Sequence, residues 1–465
     1  MRMAILALAV MAFQVCSAAW QLQGTKLTDG NWDFTVRNNQ KVATGVVGTI
    51  VDTWNAGTGV LDLSEVKADT GLEIVQLGDF LFNGAANQPP SHPDAAAGIT
   101  GLVGCESLYI VRNYTFNCCT NMQSVDLSMC TALRQIGTFA FSSNITLRTF
   151  QAPSGLTTIG ASAFRYSSAL TDFSPLLPES VGSVGEYAFN GTKVDGKLTL
   201  HSAVRTVSQY AFSGTSITEL ELNEGLTDIA LFAFANCKCL TTLTKPFPST
   251  LKTLGIRAFD QDTVLSGVLD FSACTELTDL GDNMTFRQTA VEEVRLPPGL
   301  TVLGKWTFQG CTALTNVVAT VPTGALRKTM RETDGSMGGE VFRDCSNLVK
   351  VQLPWGGKTR IKNANIGPFF ECKKLVRVDL WGDVVEQDTG TSKFLQNVLE
   401  SQVTMYVPRG GDYTASWTKL ATPLTDAEKK THSEAFGSYT ALRKGFLAWS
   451  KESPYLSAAL CIIIR

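Results

Sequence analysis

The sequence has few of the residues, and none of the motifs, on which most enzyme active sites depend. Only three histidines occur in 465 residues, His92, His201 and His432, and they lie far apart in the chain. No GxSxG nucleophile motif, HExxH zinc motif, P-loop or glycine-rich dinucleotide fingerprint occurs in a supporting context. The sequence therefore predicts no catalytic residues, no metal site and no cofactor.

An excess of one charge and a long apolar run are also missing. The chain has 39 Lys and Arg against 42 Asp and Glu, a net charge of −3. This balance argues against a nucleic-acid or anionic-membrane partner. The apolar runs Ala4 to Val15 and Leu456 to Ile464 are both shorter than the roughly 20 residues that cross a bilayer. No transmembrane anchor is expected.

The N-terminus is typical of a secretory signal peptide. Arg2 precedes the apolar run, and small residues follow from Ser17 to Ala19. Cys16 suggests a lipoprotein, but no small residue lies directly before it. We expect residues 1–19 to be removed near Ala18 or Ala19, and the mature protein to be secreted, extracellular or at the cell surface.

An apolar pattern recurs along most of the chain. In its clearest copy, Leu226 is followed three residues later by Ile229, then by the small Ala230, and four residues after that by Phe234. The same offsets occur at Leu133/Ile136/Gly137/Phe141, Leu156/Ile159/Gly160/Phe164, Val181/Val184/Gly185/Phe189, Val204/Val207/Ser208/Phe212, Leu251/Leu254/Gly255/Phe259 and Leu300/Leu303/Gly304/Phe308, and one residue longer at Leu277/Leu280/Gly281/Phe286.

These repeats predict a solenoid. The repeat Phe residues from Phe141 to Phe259 follow one another after 22 to 25 residues, within the roughly 20 to 29 residues of a leucine-rich repeat. One coil cannot bury its own apolar face, so neighbouring coils must stack. We expect roughly 11 to 12 coils, each with one short strand such as Leu220 to Leu222, a glycine bend and a short helical turn around the Phe.

The repeats resemble the BspA-like class of leucine-rich repeats. The resemblance rests on LTDIALFAFANCKCL, LRQIGTFAFSSN and LTVLGKWTFQGCTAL, on the strands VEEVRLPPG and LVKVQLPWG, and on the ending VTMYVPRGGDYTASW. It covers roughly Val75 to Leu420. It implies an extracellular or cell-surface solenoid that binds proteins, matrix or other cells and has no catalytic residues.

The chain divides into four predicted segments. Residues 1–19 form the signal peptide, 20–75 an N-terminal β cap, 76–420 the solenoid and 421–465 a C-terminal helical cap or tail. In the last segment Phe436, Tyr439, Leu442 and Phe446 fall at helical spacing. We expect a monomer.

Outward strand positions are the predicted binding residues, because rigid coils present side chains at fixed spacing. Basic segments at Arg327 to Arg331 and Lys358 to Lys362 are predicted loops beside them. The expected function is binding or adhesion to an extracellular protein, matrix or glycan ligand. The candidate binding residues are Glu219, Glu221, Glu293, Arg295, Lys350, Arg377 and Asp379.

Three other functions remain open at this stage. A carbohydrate-cleaving β-solenoid enzyme would need two carboxylates within roughly 5 to 10 Å, a spacing that Glu219 and Glu221 could meet. A purely structural extracellular repeat protein would need no ligand. An intracellular scaffold would conflict with the signal peptide.

Two further residue sets follow the repeat register. Four N-glycosylation sequons begin at Asn113, Asn144, Asn190 and Asn283, close to repeat Phe residues. Several of the twelve cysteines recur three residues after a repeat Phe, which indicates a small buried residue in each coil rather than a disulfide framework. These cysteines are Cys119, Cys237, Cys311 and Cys345.

Overall fold

The chain winds into a parallel β-solenoid of about 12 turns in which every regular coil contributes two short strands. The computed structural model describes residues 19–42, 45–55, 57–87, 92–175, 177–281, 283–320, 335–355, 358–362, 366–379, 383–386, 404–406 and 446–448. The predicted signal peptide and the basic segment Arg327 to Arg331 lie outside these ranges.

One strand of each coil lies in a series of parallel sheets that we call the front sheets. They contain the alternating strands that the sequence predicts. The front strands are β5 (Gly59–Asp62), β7 (Ile99–Val103), β9 (Ser124–Asp126), β11 (Thr149–Gln151) and β13 (Asp172–Ser174), then β15 (Asp195–Thr199), β17 (Ser216–Glu221) and β19 (Thr242–Leu243), then β21 (Ser266–Asp270), β22 (Ala290–Leu296), β24 (Asn316–Ala319), β26 (Lys350–Gln352), β28 (Arg377–Asp379), β30 (Thr404–Tyr406) and β31 (Phe446–Ala448).

The second strand of each coil lies in the back sheets. The sequence did not predict it, because most of these strands have only two residues and show no alternation. Strand β27 includes the basic segment Lys358 to Lys362, which is therefore not a loop. The back strands are β6 (Leu72–Leu77), β8 (Ile110–Val111), β10 (Gln135–Ile136), β12 (Thr158–Ile159) and β14 (Ser183–Val184), then β16 (Thr206–Val207), β18 (Asp228–Ile229) and β20 (Thr253–Leu254), then β23 (Val302–Leu303), β25 (Gly335–Gly338), β27 (Lys358–Lys362) and β29 (Asp383–Glu386).

An antiparallel segment covers the N-terminal end of the array. Its last strand pairs in parallel with β6, so the solenoid sheets begin before residue 75. The rings of Trp32 and Phe34 are buried and lie 5.7 and 6.1 Å from the ring of Phe82 in the first repeat turn. The strands of this segment are β1 (Gln21–Gln23), β2 (Lys26–Thr28), β3 (Asp33–Val42) and β4 (Gly45–Asn55).

The described residues contain two short helices, α1 (Val66–Thr70) and α2 (Pro93–Gly98). No helix in the described part of the chain is long and apolar enough to cross a membrane. At the C-terminal end, Phe446–Ala448 forms strand β31 beside β30, where the sequence predicted the end of a helix. The other residues of that predicted helix lie outside the described part of the chain.

The repeat Phe rings form one internal column, as the sequence predicts. Consecutive rings are stacked with centroids 5.1 to 5.6 Å apart. The column therefore links every coil to its neighbours through the core. Its members are Phe82, Phe116, Phe141, Phe164, Phe189, Phe212, Phe234, Phe259, Phe286, Phe308, Phe342 and Phe369.

The segment around each Phe consists of tight turns instead of the predicted helical turn. Backbone bonds run between coils: the Phe212 N–H donates to the Ala233 carbonyl at 2.9 Å, and the Phe189 N–H to Ala211 at 2.8 Å. Residues two before and two after the Phe are left-handed, as at Tyr210 (φ 54°). Hydrogen bonds to the next coil thus replace those that would close an α-helix.

At Gly160, four residues before Phe164, glycine is required by the close approach of the preceding coil and not by a bend. A Cβ on Gly160 would lie 2.6 Å from the carbonyl carbon of Gly137 and 2.7 Å from the nitrogen of Thr138. Both are backbone atoms of the preceding coil. Any larger residue there would force the two coils apart.

The cysteines that recur after the Phe are buried and hydrogen-bonded to the preceding coil. Each thiol sulfur lies 3.0 to 3.2 Å from the carbonyl oxygen of a repeat Phe. In another coil the hydroxyl of Ser167 takes the place of the thiol and makes the same contact. Burial raises the pKa of the Cys311 thiol to about 11, so it keeps its proton at neutral pH. The pairs are Cys119 with Phe82, Cys237 with Phe212, Cys311 with Phe286, Cys345 with Phe308 and Cys372 with Phe342.

Candidate binding face

The front sheets bring three of the predicted binding residues into one column. Glu293 on β22 pairs in register with Asn316 on β24, Asn316 with Lys350 on β26, and Lys350 with Arg377 on β28. Adjacent parallel strands lie about 4.8 Å apart, so these side chains follow one another at regular intervals. The column presents one acidic, one amide and two basic groups.

The remaining predicted residues lie elsewhere on the front sheets. Glu219 and Glu221 belong to β17, in the separate sheet formed by β15, β17 and β19. Asp379 aligns with Gln352 and Tyr406, but its side chain lies outside the described part of the chain. The predicted set is therefore two groups and not one site.

Glu221 is held between two lysines of the neighbouring coils. The Lys197 ammonium lies 2.5 Å from Glu221 Oε2, and the Lys245 ammonium contacts Glu221 Oε1. These hydrogen bonds lower the pKa of the Glu221 carboxyl to about 2. A glycosidase general acid needs a raised pKa so that it holds a proton near neutral pH. Glu221 is thus unsuited to the acid role of the enzyme alternative.

Arg295 forms a second set of ion pairs on the front sheets. Its guanidinium Nη1 lies 2.9 Å from Asp270 Oδ2 in the preceding coil, and its Nε lies 2.9 Å from Glu293 Oε1 in the same strand. Glu293 and Arg295 therefore neutralise each other in large part. Lys350 forms no ion pair with another residue of the described part of the chain.

The ion-pair partners show what the sequence could have revealed. Lys197 lies 22 residues before Glu219, one repeat length, and pairs with it in register. The Lys197 ammonium nevertheless reaches Glu221 and not Glu219. Repeat spacing identifies which residues share a column, but side-chain rotamers decide which of them form ion pairs.

A second column of rings on the outside of the coils was not predicted. Tyr187, Tyr210 and Phe232 stack with centroids 4.6 Å apart. The guanidinium of Arg165 lies 4.6 Å from the Tyr187 ring centre at one end, and that of Arg257 lies 5.2 Å from the Phe232 ring centre at the other. The aromatic residue two before each Phe in EYAF, QYAF and LFAF was the available signal.

The four sequons occupy different environments. Asn113 is exposed, whereas Asn144 is fully buried and its Oδ1 accepts a hydrogen bond from the Cys119 N–H at 2.8 Å. A glycan on Asn144 has no path to solvent in the folded coil. Asn190 and Asn283 are partly buried, and Asn190 Nδ2 donates to the Ser213 carbonyl at 3.1 Å.

The chain is similar in structure to several solved bacterial proteins, among them leucine-rich repeat proteins. One from Bacteroides ovatus is 18% identical, with a TM-score of 0.50, and the match covers 82% of this chain and 94% of that one. The pneumococcal vaccine antigen PcpA is 14% identical, with a TM-score of 0.40 and coverage of 86% and 96%. A leucine-rich cell surface protein from Faecalibacterium prausnitzii is 15% identical, with a TM-score of 0.34 and coverage of 78% and 96%.

Sequence comparisons identify the family. No curated protein sequence matches the chain significantly. The family profile described as the BspA type leucine rich repeat region matches six copies, over residues 98–196, 169–284 and 278–400. Together these segments span residues 98 to 400, more than half of the 465 residues. With its column of repeat Phe rings and its paired sheets, the chain belongs to the BspA-type leucine-rich repeat family.

Proposed function

We propose that this protein is a secreted or cell-surface repeat protein that binds an extracellular protein through its front sheets. The observation that carries the proposal is the column Glu293, Asn316, Lys350 and Arg377, whose members adjacent parallel strands hold in register. A rigid, repeated surface of this kind loses little conformational entropy when a partner binds. The fixed order of acidic, amide and basic groups supplies specificity.

The basic end of this column is the part that should dominate recognition. Glu293 and Asp270 are engaged by Arg295, so we assign recognition of the partner to the basic groups at the other end of the column, Lys350 and Arg377. An acidic surface on the partner would complement them. Basic residues at an interface affect mainly the association rate and its dependence on salt.

Reversing both basic charges should weaken binding. We expect Lys350→Glu with Arg377→Glu to reduce affinity at least about tenfold, equivalent to 1.4 kcal/mol. Partners are first identified by screening the purified chain against extracellular-matrix proteins and glycans, and the affinity is then measured by surface plasmon resonance at two salt concentrations.

The matched control reverses two exposed lysines outside the front strands. Lys238 follows the Phe234 turn and Lys252 precedes β20, so Lys238→Glu with Lys252→Glu changes the net charge equally. An equal loss of affinity in the control would show that binding depends on net charge alone and would contradict the assignment. Selective binding of a glycan in the screen would contradict the choice of a protein partner.

Secretion requires its own test. The N-terminal segment with Arg2, the apolar run and Ser17 to Ala19 supports export, as does family membership. We expect the first 25 residues to direct a fused reporter out of the cell and to be cleaved near Ala18 or Ala19, as N-terminal sequencing of the exported reporter would show. Retention of the uncleaved fusion inside the cell would favour an intracellular scaffold.

A further inference from the structure

Trp20 directly follows the predicted signal peptide and belongs to the core of the N-terminal cap. Its side chain is only 5% exposed, whereas the preceding Ala19 is exposed. Strand β1 begins at the next residue, Gln21. Removal of residues 1–19 would therefore make a buried residue the N-terminus of the mature chain.

The Trp20 side chain contacts residues that lie far along the chain. Its indole Nε1 donates a hydrogen bond to the Asp62 carbonyl at 3.1 Å. Its ring stacks on that of Phe34 with the centroids 6.2 Å apart, and the Phe34 ring lies 6.1 Å from that of Phe82. Phe82 stacks in turn on the next ring of the internal column. Trp20 thus extends the aromatic core into the N-terminal cap.

The backbone nitrogen of Trp20 faces a carboxylate. The Trp20 N–H donates a hydrogen bond to Asp69 Oδ2 in helix α1 at 2.8 Å. No lysine or arginine in the described part of the chain forms an ion pair with Asp69, and the nearest one in sequence, Lys67, pairs with Glu73 at 2.7 Å. Among the described residues, no side-chain cation therefore competes with the Trp20 nitrogen for this carboxylate.

We propose that removal of residues 1–19 turns the Trp20 nitrogen into an ammonium group that forms an ion pair with Asp69 and stabilises the N-terminal cap. Hydrolysis of the Ala19–Trp20 peptide bond consumes one water and leaves a carboxylate on Ala19 and an amine on Trp20. The amine carries a proton at neutral pH, because α-amino groups titrate above neutral pH. The inference rests on the export that the proposed function includes.

The new charge strengthens a contact that already exists. The Trp20 nitrogen lies within hydrogen-bond distance of Asp69 Oδ2 while it is an amide, so the ammonium group forms its ion pair without a rearrangement of the cap. Hydrogen bonds between charged groups are roughly twice as strong as those between neutral groups. Terminal coils of a repeat array need a cap. The cleaved chain is therefore more stable at this end than the precursor.

The position of the cut decides whether the ion pair forms. Small residues from Ser17 to Ala19 allow a cut after Ala18 or after Ala19. A cut after Ala18 would leave an amide at Trp20 and place the ammonium group on the exposed Ala19. Only a cut after Ala19 puts the charge on the atom that contacts Asp69. The geometry therefore favours Trp20 as the first residue of the mature chain.

Two purified chains that differ only at the N-terminus test the ion pair. One begins at Trp20 and the other at Ala18, so both have the same net charge, but only the first has an ammonium group on Trp20. Each is released from a fusion by a protease that leaves no extra residue. In the chain that begins at Trp20, we expect Asp69→Asn to raise the unfolding constant roughly fivefold in urea titrations. In the other chain it should change little, because the asparagine oxygen can still accept the amide N–H.

The matched control is Glu65→Gln in both chains. Glu65 is exposed directly before α1 and its side chain caps no backbone N–H of that helix, so this variant removes the same charge and should have equal effects in the two chains. Equal effects of Asp69→Asn in the two chains would overturn the ion pair. N-terminal sequencing of the exported full chain should begin at Trp20, and any other first residue would overturn the assigned cut. Failure of export would instead contradict the proposed function, while the comparison of the purified chains would still decide whether the ion pair forms.

Discussion

Replacing Phe164 with alanine is expected to lower the free energy of unfolding by about 3 to 5 kcal/mol. Phe164 is fully buried. Its ring centre lies 5.6 Å from that of Phe141 and 5.3 Å from that of Phe189 in the column, and 4.8 and 5.1 Å from Phe150 and Phe173 of the front strands. The cavity would weaken two coil interfaces at once, and the stability of a repeat array depends on such nearest-neighbour interfaces.

Chemical denaturation followed by circular dichroism measures this loss. The matched control is Phe139→Ala, the same substitution at a half-buried ring outside the internal column, which stacks on Tyr114 at 4.9 Å. Phe139 is not among the buried core residues, so its replacement should shift the denaturation midpoint much less. Equal losses in the two variants would contradict the view that the internal column holds the coils together.

Replacing Asp262 with asparagine is expected to stabilise the protein at neutral pH. Asp262 is completely buried, its Oδ1 accepts the Cys237 N–H at 2.8 Å, and its Oδ2 has no hydrogen-bond partner. Burial raises the pKa of the Asp262 carboxyl well above its ordinary value, although the Cys237 hydrogen bond opposes the shift. Asn144 occupies the same position in another coil and accepts the Cys119 N–H at the same distance, so the coil accommodates an amide.

The gain should depend on pH in a defined direction. An aspartate in the unfolded chain has a pKa of about 3.9, below that of the buried carboxyl. Between the two pKa values the folded state binds more protons, so the unfolding free energy of the native chain falls by about 1.4 kcal/mol for each unit of rising pH. Below the unfolded pKa both states are protonated and the loss disappears. Asp262→Asn lacks this titration, and its advantage should therefore grow from acid to neutral pH.

Urea unfolding at a series of pH values from 3 to 8 measures this difference. The neighbouring Asp260 is the matched control, because it is also buried but pairs with Arg287 through bonds of 2.7 and 3.0 Å. Asp260→Asn should destabilise the protein at neutral pH, since it leaves the Arg287 charge without its carboxylate. A stability difference between Asp262→Asn and the native chain that does not change with pH would contradict a buried, protonated Asp262.

The candidate site shows the limit of prediction from repeats. The offsets placed Glu293, Lys350 and Arg377 on outward strand positions, and the register aligns them. The pattern did not distinguish these residues from Glu221, which two lysines engage. Ion pairs between coils depend on side-chain rotamers and on the identity of the residue one repeat away in the sequence. The alternation of apolar and polar residues within one strand predicts neither of these.

The sequence by itself determined the repeat, the family and the internal column of Phe rings. An apolar residue recurring every 22 to 25 positions has no other means of burial than stacking on its own copies. Only the tertiary structure decided the second strand of each coil, the turns around the Phe and the reason for Gly160. These features arise from hydrogen bonds and backbone contacts between coils, whose partners lie a whole repeat away and leave no periodic signal within one coil.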